Sequence, residues 1–178
     1  MQAFGATPFG LYEAFVTRVN RLFAAVAAVL VMAVVAVVVL AIVTRELGIS
    51  LIWANDVAQV AFVWLVFLSL APALASGHHV TVELFEPVVP MALRRHLDVV
   101  AALACLVFGV VFLLQLWALT SRSIADGRMA LMAVPIPLKW LQLAGPIGLL
   151  QFCLTALLQL VVALRRPGNE RRMPKAGH

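Results

Sequence analysis

Charge is missing from the longest stretches of this chain. Residues 22–43, 57–75, 99–120 and 141–164 contain no Asp, Glu, Lys or Arg. At about 1.5 Å per residue, a helix built from any of them crosses a hydrocarbon core roughly 30 Å thick. Charged residues make up 12% of the chain and hydrophobic ones 64%, against soluble averages of about 25% and 45–50%. No segment outside the runs is long enough to bury a core of its own, so a soluble catalytic domain is excluded and the chain is read as a non-enzyme. Cysteine is nearly absent too: Cys105 and Cys153 lie inside apolar runs, where a thiol acts as a small hydrophobe and gives neither a disulfide framework nor a metal site.

The runs also lack the groups that intramembrane chemistry requires. A haem-binding span needs an axial histidine within the membrane, but His78, His79, His96 and His178 all fall outside the runs. A proton-coupled exporter carries an intramembrane carboxylate in spite of its cost, and none is present. The polar residues that remain are Gln59, Ser69, Gln115, Gln151, Thr155 and Gln159, which read as interhelical hydrogen-bonding groups. No cofactor is expected, and no substrate or ion site is evident. There is no inverted internal repeat of the kind common in transporters.

What is present is an all-α membrane protein. Residues 1–164 form a single four-helix membrane domain, and residues 165–178 form a basic tail expected to be disordered. The first run is too long for the apolar core of a cleaved signal peptide and should remain as the first span. The sequence pI of about 10.2 reflects basic residues grouped at the ends of spans, which reads as a topology signal and not as nucleic-acid binding. One side collects nine of them, in the N-terminal segment (Arg18, Arg21), the second loop (Arg94, Arg95) and the tail, against four on the other (Arg45, Arg122, Arg128, Lys139). The excess predicts both termini in the cytoplasm.

Local signals set the boundaries. Ser50 is expected to cap a helix running through Trp53, Asp56 and Gln59, with Asp56 near its positive end and Trp53 as an interfacial anchor. Pro72 falls within the second span and is expected to kink its last turns. Gly77 ends that helix, and Pro87 and Pro90 punctuate the next loop. Beyond Gly127, residues 134–140 (Val-Pro-Ile-Pro-Leu-Lys-Trp) should be extended, with the last helix starting near Lys139. Ala24, Ala25, Ala27 and Ala28 permit close helix approach in the first span. The aromatic residues Trp64, Phe67, Phe108, Phe112 and Trp117 give broad faces suited equally to lipid or protein.

The polar residues that remain gather at three boundaries. Val-Thr-Arg at 43–45 leads to Ile-Trp-Ala-Asn-Asp at 52–56 and Phe-Val-Trp-Leu-Val-Phe-Leu at 62–68. Gly-His-His-Val-Thr-Val-Glu at 77–83 precedes Pro90 and Arg94-Arg95. Residues 134–140 lead to Gly-Pro-Ile-Gly at 145–148. In this order and spacing, over roughly residues 20–164, the set resembles the small four-helix permease subunit of TRAP (tripartite ATP-independent periplasmic) transporters. Arg45, Trp53, His79, Glu83, Pro135, Pro137 and Trp140 occupy matching positions. Asn55 stands where the family pattern has the first of two acids, and Glu46 follows Arg45 where an aromatic or apolar residue is more usual.

The resemblance implies function by assembly in a bacterial inner membrane. The partners it implies are a large permease subunit that carries substrate and sodium, and a periplasmic binding protein that delivers the substrate, typically an organic acid. Membrane lipid surrounds the complex. The small subunit would extend the stationary scaffold of the large one, powered by an ion gradient. Two alternatives are a small oligomeric transporter sufficient by itself and an anchoring subunit of another membrane complex. The candidate interface or structural residues are Arg45, Trp53, Asp56, His79, Glu83, Arg94, Pro135, Pro137 and Trp140. Trp53 and Asp56, three apart, share a helix face, and an Arg45–Asp56 pair is geometrically reasonable. His79 and Glu83, four apart, could clamp Arg94 or Arg95. Adjacent His78 and His79 point apart on any regular element, which argues against a metal site.

Overall fold

The computed structural model describes residues 8–76, 91–130, 132–133 and 135–165, with side chains from Phe9 onward and, in the third long helix, from Val99 onward. Among the described residues five helices follow in order: α1 (Pro8–Glu46), α2 (Ile52–Ala75), α3 (Met91–Ala125), the short α4 (Leu138–Gln142) and α5 (Ala144–Arg165). Four candidate membrane spans result, since α4 and α5 together make one apolar segment, Leu138–Arg165. Valine is a modest helix former in water, but in lipid every backbone N–H and C=O must bond within the segment, so the Val-rich α1 is helical throughout.

The helices outrun the uncharged runs. At 39 and 35 residues, α1 and α3 are about 58 and 52 Å long, well beyond a hydrocarbon core. Charged residues such as Glu13, Arg18 and Arg21 end the hydrocarbon-compatible run at Leu22, but they do not end the helix.

Chain ends of the helices follow from particular residues. Gly48 has φ 78° and Gly127 φ 59°, and both occupy the left-handed position after a helix. Ile49 N–H donates to the Thr44 carbonyl at 2.9 Å and Gly48 N–H to the Arg45 carbonyl at 3.0 Å. Arg128 N–H to Ser123 and Gly127 N–H to Ile124, both at 3.3 Å, repeat the pattern. These are two Schellman terminations. The expected Ser50 cap is not formed: α2 begins after Leu51, and no side chain caps it. Pro72 lies within α2, which continues through it to Ala75. Gly77, Pro87 and the His79–Glu83 clamp lie outside the described residues.

The chain past α3 folds back as a small hairpin. Met129 bridges antiparallel to Pro137, Ala130 N–H donates to Ile136 and Leu138 N–H to Arg128, and Pro137 is extended at φ −58°, ψ 125°. The expected extended stretch is seen up to Pro137, but Leu138, Lys139 and Trp140 are already helical. Pro146 explains the break between α4 and α5. It has no N–H for the Gln142 carbonyl, and its ring crowds that group. Thr120 Oγ1 approaches the released carbonyl at 3.5 Å.

Packing is an open array and not a closed bundle. The last helix, α5, is central: α2 packs along one side and α3 along the other, while α1 packs along α2 and also reaches α5. Among the described residues the α3 backbone stays more than 8 Å, Cα to Cα, from α1 and α2. The start of α1 and the end of α5 lie together, with Arg165 4.3 Å from the Phe9 ring centroid. We call this the terminal end and the other the loop end.

Candidate functional site

The contacts between α5 and its neighbours bring most of the polar interhelical bonds among the described residues together. Small residues open the way. Ala144, Gly145, Pro146 and Gly148 are all buried at the start of α5. A β-carbon at Gly148 would fall on the carbonyl of Phe67, and one at Gly145 would meet Leu116 Cδ1 at 2.6 Å. Three residues apart, the two glycines share one face of α5 and let Phe67 of α2 and Leu116 of α3 press close to its backbone, in the manner of small-residue contacts within membranes. On α3, Gly109 receives Phe152 and Cys153.

Toward the terminal end, α1 meets α5 through a closed polar cluster. Asn20 Nδ2 donates to Thr155 Oγ1 at 3.1 Å, and Gln151 Nε2 donates to Asn20 Oδ1 at 2.8 Å and to the Val16 carbonyl at 3.3 Å. Thr155 Oγ1 also bonds its own helix at the Gln151 carbonyl, 2.9 Å away. Asn20, Gln151 and Thr155 are 7%, 3% and 1% exposed. One turn apart on α1, Tyr12 donates its hydroxyl to the Leu154 carbonyl at 2.7 Å. Gln159 reaches across to α2 and donates to the Leu74 carbonyl at 2.6 Å. That carbonyl lies in the last turn of α2, where the Ser76 N–H also turns toward it. The cluster carries no formal charge and its groups bond one another, so it ties helices together and leaves no open ligand position.

Reading the span polar residues as interhelical bonding groups holds for Gln151, Thr155 and Gln159. It does not hold for Ser69, which bonds Val66 of its own helix at 2.8 Å, or for Gln59 and Gln115, which are exposed on the chain. Asn20 and Tyr12 lie upstream of the first uncharged run and were not among the expected residues. Their signal is the spacing of Tyr12, Val16 and Asn20, one side chain every four residues along a single helix face.

The loop end holds most of the candidate residues. Arg45 is exposed in the last turn of α1, while Asp56, in the second turn of α2, is 6% exposed. Trp53 is 42% exposed and Trp140 55%. Trp64 Nε1 donates to the Trp140 carbonyl at 3.1 Å, so Trp140 is held to α2 by its backbone with its ring left outward. Pro135 is exposed, and Pro137 half-buried where it leads into α4. Arg94 lies in the first turn of α3, with only its backbone described, and His79 and Glu83 lie outside the described residues. Of the small residues in α1, Ala27 is buried, but Ala24, Ala25 and Ala28 remain exposed.

Among the described residues no three His, Cys, Asp or Glu side chains come together. No curated protein matches the chain. Residues 34–166 match the family described as "Tripartite ATP-independent periplasmic transporters, DctQ component". That match runs from within α1 to the end of α5 and takes in the loop-end rim and the contacts of α5 with α2 and α3, while Tyr12, Val16 and Asn20 precede it. With most of its length matched and four apolar helices to carry the match, the chain belongs to the DctQ-component family, the small permease component of TRAP transporters.

Proposed function

We propose that this chain is the accessory scaffold of a TRAP-type importer, joined to a large permease subunit that carries the substrate and the coupling ion. The observation that supports it most directly is the closed Asn20–Gln151–Thr155 cluster. The polar groups buried between these helices are uncharged and bonded to each other, an arrangement suited to holding helices and not to cycling a solute. In this reading both termini are cytoplasmic, as the basic-residue excess indicates, and the membrane is the bacterial inner membrane. The loop end is then periplasmic. Its rim of Arg45, Trp53, Asp56, Pro135, Pro137 and Trp140 faces the side from which a binding protein delivers substrate, by family resemblance an organic acid.

The test is a mild-detergent pull-down of the tagged chain from its native host. Recovery of a large many-span permease in equal amount supports the reading. Recovery of the chain alone, together with solute uptake in liposomes, would overturn it in favour of an independent transporter. His79→Ala tests the proposed clamp of His79 and Glu83 on Arg94 or Arg95. Loss of the complex with normal insertion supports the clamp, and unchanged assembly removes it.

A further inference from the structure

The surface of α3 turned away from α5 carries a row of exposed side chains. Ala102, Gly109, Thr120 and Ser123 are buried against the rest of the chain. About a third of a turn away runs Ala104, Phe108, Val111, Gln115, Leu119 and Arg122, at steps of three and four residues. All six are exposed on the chain, Phe108 at 61%, Val111 at 55% and Leu119 at 47%. Among the described residues α5 is the only long helix close to α3, so none of them covers this row; Leu103, Val107, Val110, Leu114 and Trp117 are exposed at the same steps, and it is Gln115 and Arg122 that set the first row apart.

Gln115 says what kind of surface it is. It lies seven residues before Arg122, about 10 Å deeper along the helix, within the uncharged run 99–120. Its amide makes no hydrogen bond among the described residues. In hydrocarbon, an amide with two donors and an acceptor is poorly solvated unless another polypeptide supplies partners. Gln59, the other outward glutamine, lies in the third turn of α2, beyond Asn55 and nearer the polar boundary, so it makes no comparable demand.

Two occupants meet that demand. A second copy in the same membrane orientation would place Gln115 against Gln115 and also Arg122 against Arg122. Arg122 is exposed in the last turn of α3, and like charges facing one another across a seam oppose that pairing. We infer that the Gln115 seam of α3 is the surface on which the large permease seats one transmembrane helix. That helix presents a hydrogen-bonding group at the depth of Gln115 and a carboxylate or carbonyl opposite Arg122. The inference rests on the proposed accessory role.

The experiment uses the full chain co-expressed with its large permease. A photoreactive phenylalanine derivative replaces Val111 or Leu119 on the seam, or Val110 or Leu103 off it; the last two are 41% and 49% exposed. Adducts to the large permease from 111 and 119, at least ten times those from 110 and 103, are expected. In parallel, Val111→Trp should lower recovery of the permease at least ten-fold, and Val110→Trp should keep it within two-fold. Adducts from 111 and 119 to a second copy of this chain overturn the inference. An intact complex with no protein adduct at either seam position also overturns it, and leaves the accessory role standing. If the unaltered chain recovers no permease, the accessory role and the inference fall together.

Discussion

Gly148 and Phe67 set how closely α2 and α5 approach, because a β-carbon on Gly148 would occupy the space of the Phe67 carbonyl. A backbone group cannot rotate aside as a side chain can. Gly148→Ala should therefore force the two helices apart and cost about 1–3 kcal/mol, the usual range for overpacking. Gly109→Ala is the control. Its β-carbon would meet Cys153 Sγ and Phe152 Cδ1, both at 2.9 Å, and these side chains can shift. Unfolding in mixed micelles should show the larger loss for Gly148. Equal losses would remove the distinction between backbone and side-chain obstruction.

The four spans were legible because hydrocarbon excludes charge, so uncharged runs of about 20 residues mark them without help from tertiary structure. The extended stretch before α4 was legible from Pro135 and Pro137, which set backbone angles locally. Helix ends beyond the bilayer were not. Arg18 and Arg21 stop a span yet are good helix formers, so α1 starts at Pro8. The order of packing was hidden as well. Ala24, Ala25 and Ala28 have the composition of a contact face but remain exposed, since a small side chain permits an approach without specifying a neighbour. The burial of Asp56 has no signature in its own segment. Which glutamines bond inward depended on the array: Gln151 and Gln159 lie on the central helix, and Gln115 lies on the outer side of a flanking one.

Gly48 and Gly127 stop α1 and α3 with the same left-handed turn, and no atom lies within 4 Å of a β-carbon built on either. Any cost of substitution there is backbone strain alone. Gly127→Ala and Gly48→Ala should each destabilise by about 1–2 kcal/mol. Gly127→Asn should recover part of this, because Asn tolerates the conformation better. Thermal unfolding of the three variants checks it, and equal stability for Asn and Ala would count against a conformational origin.

Gln159 serves as a C-cap supplied from another helix. Its amide meets the Leu74 carbonyl in the last turn of α2, where the regular helical hydrogen-bond ladder ends. Gln159→Leu keeps the volume and removes the donor. Amides in the last turn of α2, around Ser76 whose N–H bonds the Pro72 carbonyl at 2.9 Å, should exchange about five-fold faster, corresponding to roughly 1 kcal/mol for one hydrogen bond. Exchange in α3 should not change, since its backbone stays more than 8 Å, Cα to Cα, from α2. Acceleration spread evenly over all four spans would mean that Gln159 supports global packing instead.

Asn20 and Gln151 join α1 to the central helix through a 2.8 Å bond, and each also serves a third group: Asn20 reaches Thr155, and Gln151 reaches the Val16 carbonyl. Removing either amide strands partners that are almost wholly buried. Asn20→Ala and Gln151→Ala should therefore each cost about 1–2 kcal/mol. The double variant should cost less than their sum, because the second removal strands nothing further across that bond. A coupling of about 0.5–1.7 kcal/mol is the range for such pairs in membranes. A coupling near zero in reversible unfolding would show that the two amides act independently. Their proximity would then follow from Val16 and the small residues of α5 bringing the helices together, with the polar bond forming only after that approach.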